Sequence, residues 1–125
     1  MQLTILMPCL NEAETLALCI NKANSWIARS GIAVEVVIAD NGSTDGSQLI
    51  AEKLGARVIC VDQPGYGSAL FHGAMASKGE WIVMGDSDDS YAFRQLDVFV
   101  KKLQEGFDLV MGNRFLAGIA KVAMP

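Results

Sequence analysis

Short apolar runs alternate with segments of helical length along this chain, and this alternation restricts the fold more than any single motif does. These largely apolar runs cover residues 3–7, 34–39, 57–61, 81–84 and 107–111, lengths that are typical of buried strands. The segments between them, 13–28, 45–54, 68–77 and 93–105, have the length of helices. Strands that alternate with such helices form right-handed βαβ units. The sequence therefore predicts an α/β fold with a mainly parallel sheet in a three-layer α/β/α arrangement.

Proline and glycine mark several predicted boundaries. Pro8 is expected to end the first strand, because proline cannot donate to a sheet ladder. Gly31 and Gly55 are expected to end the first two helices, and Thr44 to cap the second helix. Residues 63–67 read as a flexible loop, and residues 115–125 show no clear element.

The composition excludes several classes of function. The net charge is −4, so no broad basic surface for nucleic acid is expected. No apolar run approaches the ~20 residues of a membrane span, and the start lacks the features of a signal peptide. Three cysteines without a CxxC motif and one histidine, His72, suggest neither a disulfide framework nor a zinc site. These features favour a reducing, cytoplasmic compartment.

An acidic turn follows the run 81–84. Asp86 and Asp88 lie two residues apart, so in an extended chain both carboxylates point to one side and can hold a hard cation such as Mg²⁺ or Mn²⁺. Asp89 leaves the choice of ligand pair open, and Asp89 or Ser90 could instead cap the next helix. An EF-hand loop fits less well, because Tyr91 occupies the position where that loop needs glycine.

The other strand ends carry polar and glycine-rich residues. Asp40 closes the second run at the edge where open α/β sheets bind ligands, although such residues also form ordinary turns. Glu12 follows the first run and could simply complement a helix dipole. Arg114 follows the last run, where it is suited to phosphate oxygens or to a solvated surface.

The glycines of the stretch 65–68 resemble two known nucleotide motifs only weakly. Leu70 replaces the third glycine of a dinucleotide fingerprint, and the stretch follows the third predicted strand. A Gly-Lys-Ser/Thr phosphate loop is absent from the sequence. The glycines would instead let backbone approach a flat base or ribose, with Tyr66 as a possible wall.

Five ordered motifs resemble the family 2 inverting glycosyltransferases of the GT-A fold, most closely the branch that acts on polyprenyl (dolichyl-type) phosphates. They are MPCLNE, IADNGSTDGS, GYGSAL, MGDSDDSY, and GNRF with a trailing AMP. The resemblance implies a Rossmann-like sheet, the nucleotide-binding half of a GT-A fold. One departure is that Gln63 and Pro64 stand where many relatives carry a basic residue.

The resemblance also implies roles for individual residues. The divalent cation would lie on Asp86 and Asp88, and Asp88 and Arg114 would act in catalysis. The residues implied in nucleotide binding are Pro8, Asn11, Glu12, Asp40, Gly65, Gly67, Ser68 and Asp86.

The function expected from the resemblance is inverting, metal-assisted sugar transfer from a UDP-glucose or GDP-mannose type donor to a polyprenyl phosphate or another acceptor. Residues 1–125 would form the nucleotide-sugar-binding part of a domain truncated at its C-terminus, at the cytoplasmic face of a membrane. Alternatives are a non-catalytic, metal-dependent nucleotide-binding module and a receiver-like phosphoacceptor domain. An incomplete sheet would expose apolar edges and favour a homo-oligomer.

Overall fold

The computed structural model describes residues 3–84, 100–101, 110–111 and 116–117. Residues 3–84, 110–111 and 116–117 form six strands in one sheet of order β3-β2-β1-β4-β6-β5, together with three helices, and residues 100–101 are also helical. In chain order the elements are β1 (Leu3–Cys9), α1 (Ala13–Ser30), β2 (Val34–Asp40), α2 (Ser47–Lys53), β3 (Arg57–Cys60), α3 (Tyr66–Ala76), β4 (Trp81–Met84), β5 (Val110–Met111) and β6 (Leu116–Ala117).

The four adjacent strands β3, β2, β1 and β4 are parallel, which confirms the predicted α/β class. β1 pairs with β2 and β4, and β2 pairs with β3. β6 continues the sheet antiparallel to β4, and β5 is antiparallel to β6. The expectation that residues 115–125 contain no element was wrong, because β6 lies there. A two-residue strand is too short to show a periodic pattern in sequence.

Two apolar layers cover the two faces of the sheet. One contains side chains of α1 and α2, such as Leu16 and Ala51, against Ile5 and Ile38. The other places α3 against residues that include Leu6, Val37 and Ala39. A Cβ on Gly73 would lie 2.5 Å from Leu6 Cδ1 and 3.1 Å from Ala39 Cβ. Glycine at this position therefore lets α3 lie close to the sheet.

Pro8 does not end β1, contrary to the sequence prediction. The strand continues to Cys9, and Pro8 is in register with Ala39 of β2. Cys9 O accepts a hydrogen bond from Asn41 N at 3.0 Å, so Cys9 faces β2 and the preceding residue faces the β4 side. The register with β4 ends at Leu6. The missing N–H of Pro8 therefore removes none of the described bonds between β1 and β2.

Two helices begin at residues other than those predicted. α2 begins at Ser47 after Gly46, whose φ is 88°, so Thr44 lies outside the helix and does not cap it. α3 begins at Tyr66 after Gly65, whose φ is 115°, so the predicted loop 63–67 ends two residues early. Gly31 and Gly55 have φ of 72° and 87° and end helical segments as predicted.

A polar cluster, here called the amino-edge network, joins the amino ends of the strands and consists of Thr4, Glu35, Arg57, Lys78 and Gly79. Glu35 Oε2 accepts hydrogen bonds from Thr4 Oγ1 at 2.7 Å and Lys78 N at 2.5 Å. Arg57 Nη2 forms an ion pair with Glu35 Oε1 at 3.0 Å, and Gly79 N donates to Thr4 Oγ1 at 2.9 Å. The network fixes the turn between α3 and β4 against β1 and β2.

Candidate functional site

The strand order creates a switch in chain direction beside β1. The chain moves outward from β1 to β2 and β3, and then crosses back to β4 on the other side of β1. In open α/β sheets, ligands bind at the carboxyl ends of the strands where the order reverses in this way. The described segments at this edge are residues 10–12, 41–46 and 61–65, and together they are called the rim.

Asn11 ties the loop after β1 to the loop after β2. Its backbone is left-handed, with φ of 54°. Its Oδ1 accepts a hydrogen bond from Thr44 N at 2.9 Å, and its own N–H donates to Ser43 Oγ at 2.9 Å. Asparagine tolerates this backbone conformation better than most residues. The sequence prediction assigned Asn11 to the nucleotide pocket, and this assignment stays a prediction. The structure shows that Asn11 joins two loops of the rim.

Asp40 is fully buried at the end of β2. Its Oδ2 accepts hydrogen bonds from Gly42 N at 3.0 Å, Ser43 N at 2.9 Å and Gln48 Nε2 at 2.6 Å. Its Oδ1 accepts from Ser43 Oγ at 2.5 Å. Burial alone raises the pKa of Asp40, but these hydrogen bonds outweigh it and hold the pKa below its ordinary value. The carboxylate therefore organises the turn after β2 around itself.

Asp45 links the beginnings of two helices. Its Oδ2 accepts from Ala13 N at the start of α1 at 3.0 Å, and its Oδ1 accepts from Ser47 N at the start of α2 at 3.1 Å. Its Oδ1 also accepts a hydrogen bond from the Ser47 hydroxyl, and this bond lowers the pKa of Asp45. One carboxylate thus satisfies orphan N–H groups of both helices.

Asn41 connects the loop after β2 to the segment after β3. Its Nδ2 donates to Val61 O at 3.1 Å and to Gln63 O at 2.8 Å. Residues 62–67 are all exposed, so these bonds hold the beginning of an otherwise solvent-facing stretch. A groove of about 360 Å³ lies beside this segment, lined by Ile59, Cys60, Val61, Asp62, Gln63 and His72.

Ser68 lies in the first turn of α3, next to the predicted nucleotide-binding glycines. Its Oγ is buried and has no hydrogen-bond partner in the described part of the chain. A Cβ added at Gly65 or Gly67 would meet no atom within 4 Å. The glycines therefore leave open space beside the start of α3, where ligand atoms could approach the backbone.

Cys9 is a buried thiol at the carboxyl end of β1, 3% exposed. Its Sγ lies 3.9 Å from Ser43 Oγ. Burial raises the pKa of Cys9, and hydrogen bonding to Ser43 and other groups offsets only part of this effect. The thiol is therefore protonated and contributes packing to the rim.

The structure brings the predicted residues of three loops to one edge. Pro8, Asn11 and Glu12 lie at the end of β1, Asp40 at the end of β2, and Gly65, Gly67 and Ser68 at the start of α3. Asp86, Asp88 and Arg114 lie outside the described residues, so their roles stay predictions. Within the described ranges, no group of three or more His, Cys, Asp or Glu side chains could hold a metal ion.

Sequence reasoning missed the residues that join these loops, namely Asn41, Ser43 and Asp45. Their side chains contact backbone 20 to 32 positions away in the chain. A signal was present, because three polar side chains in one short turn exceed what a single helix cap uses. Their partners, however, depend on the register of the strands.

Comparison with known families decides what kind of domain presents this edge. Residues 4–124 match the family model described as glycosyl transferase family 2. The chain belongs to this family. The predicted family and its identification as a glycosyltransferase are thereby confirmed, and the receiver-like alternative is disfavoured.

Two curated relatives come from Haloferax volcanii. A low-salt glycan biosynthesis hexosyltransferase, Agl6, is 37% identical over 98% of this chain and 30% of the relative. A dolichyl-phosphate hexose transferase is 39% identical over 67% of this chain and 36% of the relative. The chain thus spans about a third of each of these two proteins.

Among solved structures, glucosyl-3-phosphoglycerate synthase from Mycobacterium tuberculosis has a similar fold. Its complex with Mn²⁺, uridine diphosphate and glucosyl-3-phosphoglycerate superimposes with a TM-score of 0.75 at 28% identity. The match covers 86% of this chain and 42% of that protein. This similarity confirms the GT-A type of fold.

Proposed function

We propose that this chain is the donor-binding part of a glycosyltransferase that moves a sugar from a nucleotide diphosphate sugar to a polyprenyl phosphate. The observation that carries the proposal is the convergence of the loops after β1, β2 and β3 on one rim beside the strand-order switch. Sites for nucleotides in open α/β sheets occupy this position.

The nucleoside would lie along the rim. Asn11 and Glu12 from the loop after β1, and Asp40 from the end of β2, supply polar groups on one side, with Pro8 behind them. Gly65, Gly67 and Ser68 border the other side. Ser68 Oγ, which is buried and has no hydrogen-bond partner among the described residues, supports this arrangement, because a buried hydroxyl without a partner costs free energy until a ligand satisfies it.

The charge of the rim supports a cation on the diphosphate. The described rim segments carry Glu12, Asp45 and Asp62 but no lysine or arginine, and Asp40 lies directly behind them. A diphosphate placed there would meet like charge. Asp86 and Asp88 follow β4, the strand beside β1, and their hard oxygen ligands suit Mg²⁺ or Mn²⁺. The relative that was solved with Mn²⁺ and uridine diphosphate supports a divalent cation for this fold.

The reaction is a single displacement with inversion. An acceptor oxygen bonds to the anomeric carbon while the bond from that carbon to the diphosphate breaks, and the electron pair leaves with the nucleoside diphosphate. The cation, when bound, stabilises the charge that develops on the leaving group. Arg114 would contribute charge-assisted hydrogen bonds to the same oxygens.

The proposed acceptor is a polyprenyl phosphate, and the dolichyl-phosphate hexose transferase among the relatives supports this class. A phosphate monoester has a second pKa of about 6, so it is already ionised near neutral pH and can attack without a general base. A sugar hydroxyl would require a positioned carboxylate. Such a lipid acceptor would place the reaction at the cytoplasmic face of a membrane, although no helix in the described part of the chain is long and apolar enough to span one.

The test measures nucleotide binding in a variant without the predicted cation ligands. Calorimetric titration of the chain with UDP and with GDP, each with Mn²⁺, Mg²⁺ or chelator, should show cation-dependent binding of one nucleotide. The double substitution Asp86→Ala, Asp88→Ala should reduce that affinity by about 100-fold, because the diphosphate loses its counter-charge.

A matched control removes two exposed carboxylates on helices. Glu14→Ala combined with Glu52→Ala changes the net charge equally but should leave affinity within about twofold, since exposed charges on helices contribute little. Unchanged affinity and cation requirement in the Asp86, Asp88 variant would disprove the site. Transfer of labelled sugar to a polyprenyl phosphate then separates the enzyme from a module that only binds nucleotide.

A further inference from the structure

The side chain of Asn41 fastens the segment after β3 to the end of β2. Its backbone N–H donates to Cys9 O at 3.0 Å and continues the pairing between β1 and β2. Its Nδ2 reaches the other way, to Val61 O at 3.1 Å and Gln63 O at 2.8 Å. One residue thus connects the carboxyl ends of β1, β2 and β3.

Both side-chain bonds require the amide nitrogen. Val61 O and Gln63 O are acceptors, so the group between them must donate twice, as the NH₂ of asparagine does. A carboxylate of the same shape would place a third negative oxygen about 3 Å from two carbonyl oxygens. Asparagine at this position therefore attracts the two carbonyl oxygens and aspartate repels them, although the two side chains have nearly the same volume.

The fastened segment leads directly into the predicted nucleotide-binding stretch. Val61 N donates to Asp40 O at 2.8 Å, and the bond to Gln63 O lies two residues further on. Gly65 follows, with φ of 115°, and α3 begins at Tyr66. Because residues 62–67 are all exposed, burial does little to hold them, and the bonds to Asn41 carry more of this task.

We propose that Asn41 is a positioning residue for nucleotide binding, whose amide holds residues 61–65 in the conformation that receives the nucleotide. This inference rests on the proposed function. A segment that is ordered before binding spares the ligand the entropic cost of ordering it. Loss of the two hydrogen bonds moves that cost into the binding step and weakens affinity.

The test compares two isosteric substitutions. Asn41→Asp removes the donor at the rim. Asn24→Asp is the matched control, because Asn24 Nδ2 also donates to a backbone carbonyl, Leu54 O at 3.0 Å, but lies on α1, outside the rim. With UDP and GDP in the presence of Mn²⁺, Asn41→Asp should raise the Kd about tenfold, which corresponds to one or two hydrogen bonds. The Kd of Asn24→Asp should change less than twofold.

Two readouts separate positioning from other roles. General destabilisation lowers the number of binding sites measured per chain, whereas loss of positioning raises the Kd and leaves that number unchanged. Hydrogen exchange without nucleotide should be about tenfold faster in the Asn41→Asp protein at the amide of Val61, which donates to Asp40 O at 2.8 Å, and unchanged in α1. Asn41→Ala, which removes the donor without adding charge, should show the same pattern and serves if Asn41→Asp does not fold.

Unchanged Kd in both Asn41 variants, or unchanged exchange at the amide of Val61 without nucleotide, would overturn the proposal. In the second case a raised Kd would mean that Asn41 contacts the nucleotide directly. Wild-type chain that binds neither nucleotide would overturn the proposed function, and this role with it. If the wild type binds nucleotide and the Asn41 variants bind it with the same Kd, only the positioning role would be overturned.

Discussion

At each edge of the sheet one carboxylate accepts several hydrogen bonds, but the two carboxylates have different roles. At the amino edge, Glu35 collects hydrogen bonds from Thr4 and Lys78 N and is neutralised by Arg57. At the carboxyl edge, Asp40 collects hydrogen bonds from Gly42, Ser43 and Gln48, which are all neutral donors. Both carboxyl groups have a lowered pKa. The difference lies in the counter-charge.

The contrast indicates why one edge is structural and the other suits a ligand. The amino-edge network is complete, because its acid has a cation and its turn lies against the backbone of β1. Within the described residues, no lysine or arginine forms an ion pair with the acids of the rim, and the rim leads into exposed loops. Substitutions at the amino edge should therefore change stability, and substitutions at the rim should change affinity.

A pair of glycine substitutions should show the largest difference. A Cβ on Gly79 would lie 2.5 Å from Thr4 N and 2.6 Å from Leu3 C, and backbone cannot move aside without shifting β1. We expect Gly79→Ala to lower the free energy of unfolding by about 3 kcal/mol. Gly67→Ala has open space and lies in a helix, so we expect unchanged or slightly higher stability. Urea denaturation measures both.

Nucleotide affinity should rank these two variants in the opposite order. Gly67→Ala places a methyl group beside the proposed nucleotide and should weaken binding, whereas folded Gly79→Ala protein should bind as wild type does. If both variants lowered the free energy of unfolding equally, the proposed difference between a structural amino edge and a ligand-binding rim would be wrong.

Glu35→Gln should show the next largest effect. Glutamine has one acceptor oxygen where Glu35 uses two, and it loses the ion pair with Arg57. We expect a loss of about 2 kcal/mol near neutral pH, since hydrogen bonds to charged groups are worth roughly that much. The exposed Glu80→Gln is the control and should change stability little.

The pH dependence of that loss follows from the lowered pKa of Glu35. Burial raises this pKa, but hydrogen bonds from Thr4, Lys78 N and Arg57 bring it below its ordinary value of 4.5. The stabilisation is therefore fully present well above pH 4.5 and is lost as the pH falls through the folded pKa. Denaturation of wild type and Glu35→Gln between pH 7 and 3 should show curves that converge below pH 4.5. A constant separation would contradict the assignment.

Asp45→Asn should have the smallest effect on stability, because its carboxylate is exposed. The amide keeps one acceptor for two helix starts, so either Ala13 N or Ser47 N loses its partner. We expect a small decrease in Tm, less than for Glu35→Gln. Glu52→Gln, an exposed acid on α2 without such bonds among those described, is the control. If Asp45→Asn lowered the Tm more than Glu35→Gln does, the rim would also contribute much of the stability of the fold.

The sequence was sufficient for the fold class and the order of the main elements. Largely apolar runs such as residues 34–39, interrupted only by Glu35, predicted the buried parallel strands, because both faces of these strands are covered by helices. The predicted element boundaries were wrong where pairing between strands overrode the preference of the local sequence. Pro8 continues β1 because its missing donor faces away from β2, and β6 follows from pairing with β4 rather than from its own pattern.

The types of residue at the candidate site could be predicted from the sequence, but the hydrogen bonds between them could not. Acids, asparagines and glycines at the strand ends indicated a polar rim, and the motifs indicated a family. The role of Asn41 depends on where residues 61 and 63 come to lie, which only the β2–β3 register determines. Thr44 was assigned as a helix cap because a cap can be inferred locally, whereas its bond to Asn11 cannot.

The left-handed turn at Asn11 has one more consequence. Because this residue is bonded to both Ser43 and Thr44, the loops after β1 and β2 behave as one mechanical piece. A ligand that displaces either loop must carry the other along or break two hydrogen bonds at once. Any change in the shape of this part of the rim therefore involves both loops together.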